Sequence, residues 1–126
     1  MTLQISDSEL ELMKIIWSQG GHALYASIME ALSVSGCKWQ KNTVITLLSR
    51  LVDKGWLQIR KIGRKNEYTS IVSASDFQTL QTTKLIDQVY EGKVQGLVST
   101  LIEQNLISDA EFEELKTFWE RGTSHE

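Results

Sequence analysis

The run from Lys41 to Tyr68, KNTVITLLSRLVDKGWLQIRKIGRKNEY, changes its hydrophobic period once, and that change limits the fold more than any other feature of the chain. Val44, Leu47, Leu48, Leu51 and Val52 fall at i, i+3, i+4, i+7 and i+8, which is one apolar face of a helix. Gly55 closes it. Beyond Gly55 the segments WLQIRKI and EYTSIV are rich in β-branched and aromatic residues, with Gly63 in the connection between them. The pattern predicts a helix followed by a β-hairpin.

Two helices are expected before this unit. In ISDSEL, Ser6 as N-cap and Glu9 three residues on form a capping box, and Ile5 and Leu10 form a hydrophobic staple. Leu12, Ile15, Ile16 and Trp17 supply the apolar stripe, and Gly20-Gly21 ends the helix. A second helix is expected over roughly 23 to 33, with Leu24, Ile28, Ala31 and Leu32 at helical spacing. Three helices followed by a hairpin is the order of a winged helix, in which the third helix enters the major groove and the hairpin tip lies on the flanking backbone.

Charge is distributed to suit that arrangement. Of 13 Lys and Arg, eight lie between Lys38 and Lys65 against the single acid Asp53, so this window is +7 while the rest of the chain is −10. A pI of 5.4 conceals this asymmetry. The polar side of the third helix carries Asn42, Thr43, Thr46 and Arg50, placed to face base edges. Lys41, Arg60, Lys61, Arg64 and Lys65 are the expected phosphate contacts. The same patch would also suit an acidic protein, so a winged-helix adaptor is the alternative.

From residue 74 the chain reads as helices without a sheet. Ile86, Val89 and Tyr90 form one apolar cluster and Leu97, Val98, Leu101 and Ile102 another, with Gly92 and Gly96 marking a break between them. A second capping box runs from Ser108 to Glu111, stapled by Ile107 and Phe112, before Leu115, Phe118 and Trp119. About 50 residues in thin stripes make a poor core alone, and a second copy completes it. The expected division is 1–73 for a winged-helix domain and 74–126 for a helical dimerisation domain. Ile86, Val89, Tyr90, Leu97, Val98, Leu101, Ile102, Phe112, Leu115 and Trp119 are the expected interface.

Other functions find little support. No nucleophile has an adjacent base, no glycine-rich loop is built for phosphate, and Glu111, Glu113 and Glu114 read as a solvated helix face, so the chain is not expected to be an enzyme. His22, in a glycine-flanked turn, reads as a surface residue. Cys37 has no partner for a disulfide, and His22 and His125 have no ligand spacing; no metal or cofactor is implied. No stretch approaches the roughly 20 apolar residues of a membrane span, which points to the cytoplasm.

Taken together, ISDSELELMKIIW, TVITLLSRLVDKGWL and IGRKNEYTSIVSASDF make the chain similar, over nearly its whole length, to the penicillinase-repressor family of transcriptional regulators. The resemblance implies a homodimeric repressor with an N-terminal winged helix on a palindromic operator and intertwined C-terminal helices. Carried over position by position, the family's DNA-contacting sites fall on Asn42, Thr43, Thr46 and Arg50, with wing contacts around Arg64. Three differences stand out. Trp39-Gln40-Lys41 replaces a Trp-Ser-Pro helix entry, and Asn42 stands where a basic residue is frequent; an Asn amide pairs with adenine N6 and N7. In antibiotic-responsive members an upstream sensor triggers a protease that cuts an Asn-Phe bond in a C-terminal helix, and the matching position here is Thr100-Leu101. The paired C-terminal cysteines of the copper-responsive branch have no counterpart in WERGTSHE, so metal sensing is not implied.

Overall fold

The computed structural model describes residues 4–122, ordered as α1 (Asp7–Ser18), β1 (His22–Leu24), α2 (Tyr25–Val34), α3 (Lys41–Asp53), β2 (Leu57–Ile62), β3 (Lys65–Ser70), α4 (Ala74–Val89), α5 (Val94–Glu103) and α6 (Asp109–Glu120). His125 lies outside the described residues. The chain divides into two compact units, Met1–Thr79 and Leu80–Glu126. The division falls within α4, whose Phe77 packs edge-on against Trp56 at 5.4 Å and tilted against Trp17 at 5.7 Å.

Both capping boxes form. The Ser6 hydroxyl accepts from Glu9 N and the Glu9 carboxylate from Ser6 N; Ser108 and Glu111 repeat the arrangement at α6. Helix ends follow an equally local rule. At the C-terminus of α3, Gly55 adopts φ 83° while Trp56 N donates to Leu51 O at 2.9 Å and Gly55 N to Val52 O at 3.1 Å, the paired bonds of a Schellman motif. The motif delivers Trp56 directly into the core, where it is fully buried.

One expectation fails in the first unit. The predicted helix over 23 to 33 begins only at Tyr25, because His22, Ala23 and Leu24 form a strand antiparallel to Thr69, Tyr68 and Glu67. His22 is therefore in a strand rather than a turn, and the wing is the two-stranded part of a sheet ordered β1-β3-β2. Leu24 has the extended backbone of an N-cap, ψ 150°. The core is built from Leu12, Met13 and Ile16 of α1, Ala23 of β1, Ile28 and Leu32 of α2, Val44, Leu47, Leu48 and Leu51 of α3, Trp56 of the connection that follows, Leu57 and Tyr68 of the hairpin, and Val72 after it. Trp17 Nε1 ties α1 to the segment after the wing by donating to Ser70 Oγ at 3.0 Å and Val72 O at 2.8 Å.

Glu9 does more than cap. It is buried, and Lys54 Nζ donates to its Oε1 at 2.7 Å, joining the start of α1 to the end of α3. Burial raises the carboxyl pKa, but hydrogen bonds from Lys54 and from the Ser6 amide and hydroxyl outweigh it, leaving the group below its usual 4.5. A depressed folded-state pKa stabilises the protein above the unfolded value and stops doing so as pH falls through the folded one. Urea midpoints should therefore decline below about pH 4.5 for the wild type. Glu9→Gln is expected to be weaker by about 1–3 kcal/mol at pH 7 and to show a flatter acid profile; matching profiles for the two proteins would contradict this role for the pair.

Helix α4 takes in nearly all of the polar run SASDFQTLQTTK, and in the second unit Glu91 (φ 53°) and Gly92 (φ 80°) turn the chain before α5. Gly96, expected in the break, lies inside α5. A Cβ there would stand 2.8 Å from Tyr90 Cδ1, so glycine is what lets the Tyr90 ring close the corner. No residue of α4, α5 or α6 is buried.

Candidate nucleic-acid interface

The buried stripe of α3 determines which side chains turn outward. With Val44, Leu47, Leu48 and Leu51 in the core, Asn42, Thr43, Thr46 and Arg50 are all exposed, as their spacing requires. The Thr46 hydroxyl donates to Asn42 O at 2.9 Å, holding its side chain along the first turns of the helix. The N-cap residue Gln40 makes no side-chain cap, the first turn has no acid, and Lys41 leads it. This end of α3 keeps amides unused within the helix and carries a cation, both of which favour an anion from outside.

The wing divides its cations by strand parity. Ile62 pairs with Lys65 across a two-residue loop, Gly63-Arg64, with Gly63 at φ 63°. Lys61 pairs with Asn66 and Ile59 with Tyr68, so Lys61 shares the face of the buried Leu57 and Tyr68, against which α3 packs. Arg60 pairs with Glu67 on the opposite face. There its Nε and Nη2 each lie 3.1 Å from Glu67 Oε1, while His22 Nδ1 is 3.6 Å from Oε2. Arg60, expected at a phosphate, is thus engaged by a carboxylate on the reverse side of the sheet.

Lys54 and Arg60 are accordingly paired with carboxylates, Lys54 with buried Glu9 and Arg60 with Glu67 at the surface. Among the described residues, Lys38, Lys41, Arg50, Lys61, Arg64 and Lys65 have no carboxylate within ion-pair distance. The positive window survives folding because its unpaired members project from α3, its preceding loop and the wing tip. Sequence spacing could not reveal the Glu9–Lys54 pair, whose members are 45 residues apart. The Arg60–Glu67 pair was accessible in principle, since a two-residue loop at 63–64 dictates that register.

In the second unit the expected interface residues fall into two groups. Ile86, Tyr90, Leu97 and Leu101 are half-buried, while Val89, Val98, Ile102, Phe112, Leu115 and Trp119 are exposed. Thr100 and Leu101 lie within unbroken helix, half-buried, the Thr100 hydroxyl donating to Gly96 O at 3.1 Å. Among the described residues no three His, Cys, Asp or Glu side chains gather as a metal site, and no helix is long and apolar enough to cross a membrane.

Three packed helices, a small antiparallel sheet and an exposed polar face on the third helix beside a basic wing define a winged-helix protein. Its first unit resembles the solution structure of the DNA-binding domain of the repressor BlaI, with a TM-score of 0.53 and 38% identity, covering 60% of this chain and 90% of that one. The chain is 34% identical over 112 residues to the penicillinase repressor of Bacillus licheniformis, covering 89% of this chain and 86% of that protein. It is 33% identical over 115 residues to the methicillin resistance regulatory protein MecI of Mammaliicoccus sciuri, covering 91% and 92%. Residues 5–121 match the penicillinase repressor family, and the chain belongs to that family.

Proposed function

We propose that the chain is a sequence-specific DNA-binding repressor that acts in the cytoplasm as a homodimer on a palindromic promoter operator, of the penicillinase-repressor type. The observation that carries this reading is the set of cations left unpaired beside the exposed face of α3, when Lys54 and Arg60 are paired with Glu9 and Glu67. Lys41, Lys61, Arg64 and Lys65 hold phosphates; Asn42, Thr43, Thr46 and Arg50 face base edges. Similarity to the DNA-binding domain of BlaI supports the same assignment.

The second unit supplies the dimer contact. Val98 is 44% exposed, Ile102 54%, Leu115 56% and Phe118 63%, more apolar surface than a unit lacking buried residues of its own helices can leave to water. A second copy covers it, and the paired recognition helices then read half-sites about 34–36 Å apart. An upstream sensor or protease that separated the copies would release the operator. A cut at Thr100-Leu101 would first require α5 to open locally.

Fluorescence anisotropy with duplex DNA over a salt series tests the assignment. Arg50→Ala is expected to weaken operator binding by roughly 1–3 kcal/mol while leaving random-sequence binding nearly unchanged. Lys65→Ala should weaken both alike and reduce the salt slope by about one. A wild-type chain indifferent to duplex DNA at low salt would overturn the proposal and favour the adaptor.

A further inference from the structure

The recognition helix carries one aliphatic side chain that the core uses only in part. Ile45 is 40% exposed and is absent from both the buried core and the partly buried residues packed against it, although the other apolar members of α3 belong to one or the other. It lies three residues after Asn42 and directly before Thr46, so it flanks the polar side of the first turns at about 60° around the helix from Asn42. A β-branched residue at such a helical position gives up rotamer freedom while burying only part of its surface. Its neighbours Asn42, Thr46 and Ser49 are polar and exposed.

We propose that Ile45 is a specificity-determining residue that packs against the 5-methyl group of a thymine in each half-site. The inference rests on the DNA-binding reading above. In the major groove the methyl group offered by the ordinary bases is that of thymine, and apolar side chains read it by contact. Asn42, one turn earlier, matches adenine N6 and N7 in the same groove. A helix presenting an amide and an aliphatic group side by side selects A·T pairs under its N-terminal half, where an arginine or lysine at 45 would turn the same position towards guanine.

The test uses the full-length protein and an operator it has selected from random duplex. Each thymine of the half-site is replaced in turn by deoxyuridine, which keeps every hydrogen-bonding group and removes only the methyl. The wild type should lose about fourfold in affinity per half-site at one position, the worth of one buried methyl-sized group. Ile45→Ala should bind the thymine and uracil forms of that position equally, while still preferring the operator to random duplex and remaining folded at the assay temperature. A wild type that binds its operator without regard to any thymine methyl would overturn the inference, as would an Ile45→Ala chain with undiminished methyl dependence. Failure to select any duplex is a separate result, which would remove the DNA-binding reading and this inference with it.

Discussion

A chain carrying Ile102→Asp and Leu115→Asp is expected to sediment as a monomer and to bind its operator two to four orders of magnitude more weakly than the wild type. The two side chains project from α5 and α6 and are 54% and 56% exposed, so each leaves more than half of its surface outside its own unit, and far-UV circular dichroism should keep its helical signal. With about half of its surface left to cover, each contributes about 0.8–1.5 kcal/mol in a dimer by leaving water. Aspartate removes that contribution and adds a charge whose desolvation has no partner to offset it. Four such changes per dimer outweigh a typical association free energy. The loss on DNA then follows from bivalency: once the two winged units are no longer linked, the second half-site is bound at the bulk protein concentration rather than at the millimolar effective concentration of a tethered neighbour. Single half-site duplexes should show almost no difference between the two proteins. A monomeric double variant that still held the full palindrome at wild-type affinity would contradict the proposed dimer.

What the sequence disclosed and what it hid divide along the range of the interactions. Capping boxes at Ser6 and Ser108, the glycine stop at Gly55 and the stripe of α3 are decided within a few residues, and each forms. Strand β1 depends instead on pairing with residues more than 40 positions away, and three residues carry too little alternation to announce it against the helical spacing from Leu24 to Leu32. Lys54 and Arg60 counted equally with the other cations until their partners were in place. Ile45 is hidden from sequence for a different reason. A periodic stripe identifies the residues that belong to the core, whereas an apolar residue outside the stripe has no period and is visible only as unexplained exposure.

Trp56→Ala should cost about 3–5 kcal/mol, a large fraction of the stability of a typical domain, about 5–15 kcal/mol. The indole is fully buried at the point where α3 gives way to the wing. Its amide closes the α3 Schellman motif on Leu51 O, its carbonyl accepts from Ile71 N at 2.8 Å, and its ring meets Phe77. The main-chain bonds survive truncation to alanine; the lost indole leaves a cavity bordered by the helix end, β2 and the first turn of α4, which a backbone held by those bonds cannot collapse to fill. Trp56→Phe retains most of the volume and should lose less than half as much. The comparison also reaches the DNA interface, because Trp56 is the one core residue between the recognition helix and the basic hairpin in sequence. At a temperature where Trp56→Phe remains folded, its operator affinity should fall while its retention on random duplex stays close to wild type, since base contacts need the relative placement of α3 and wing to within a fraction of an ångström and phosphate contacts do not. A chemical-denaturation midpoint for Trp56→Ala within 1 kcal/mol of wild type would show that packing at this junction does not hold the two recognition surfaces together.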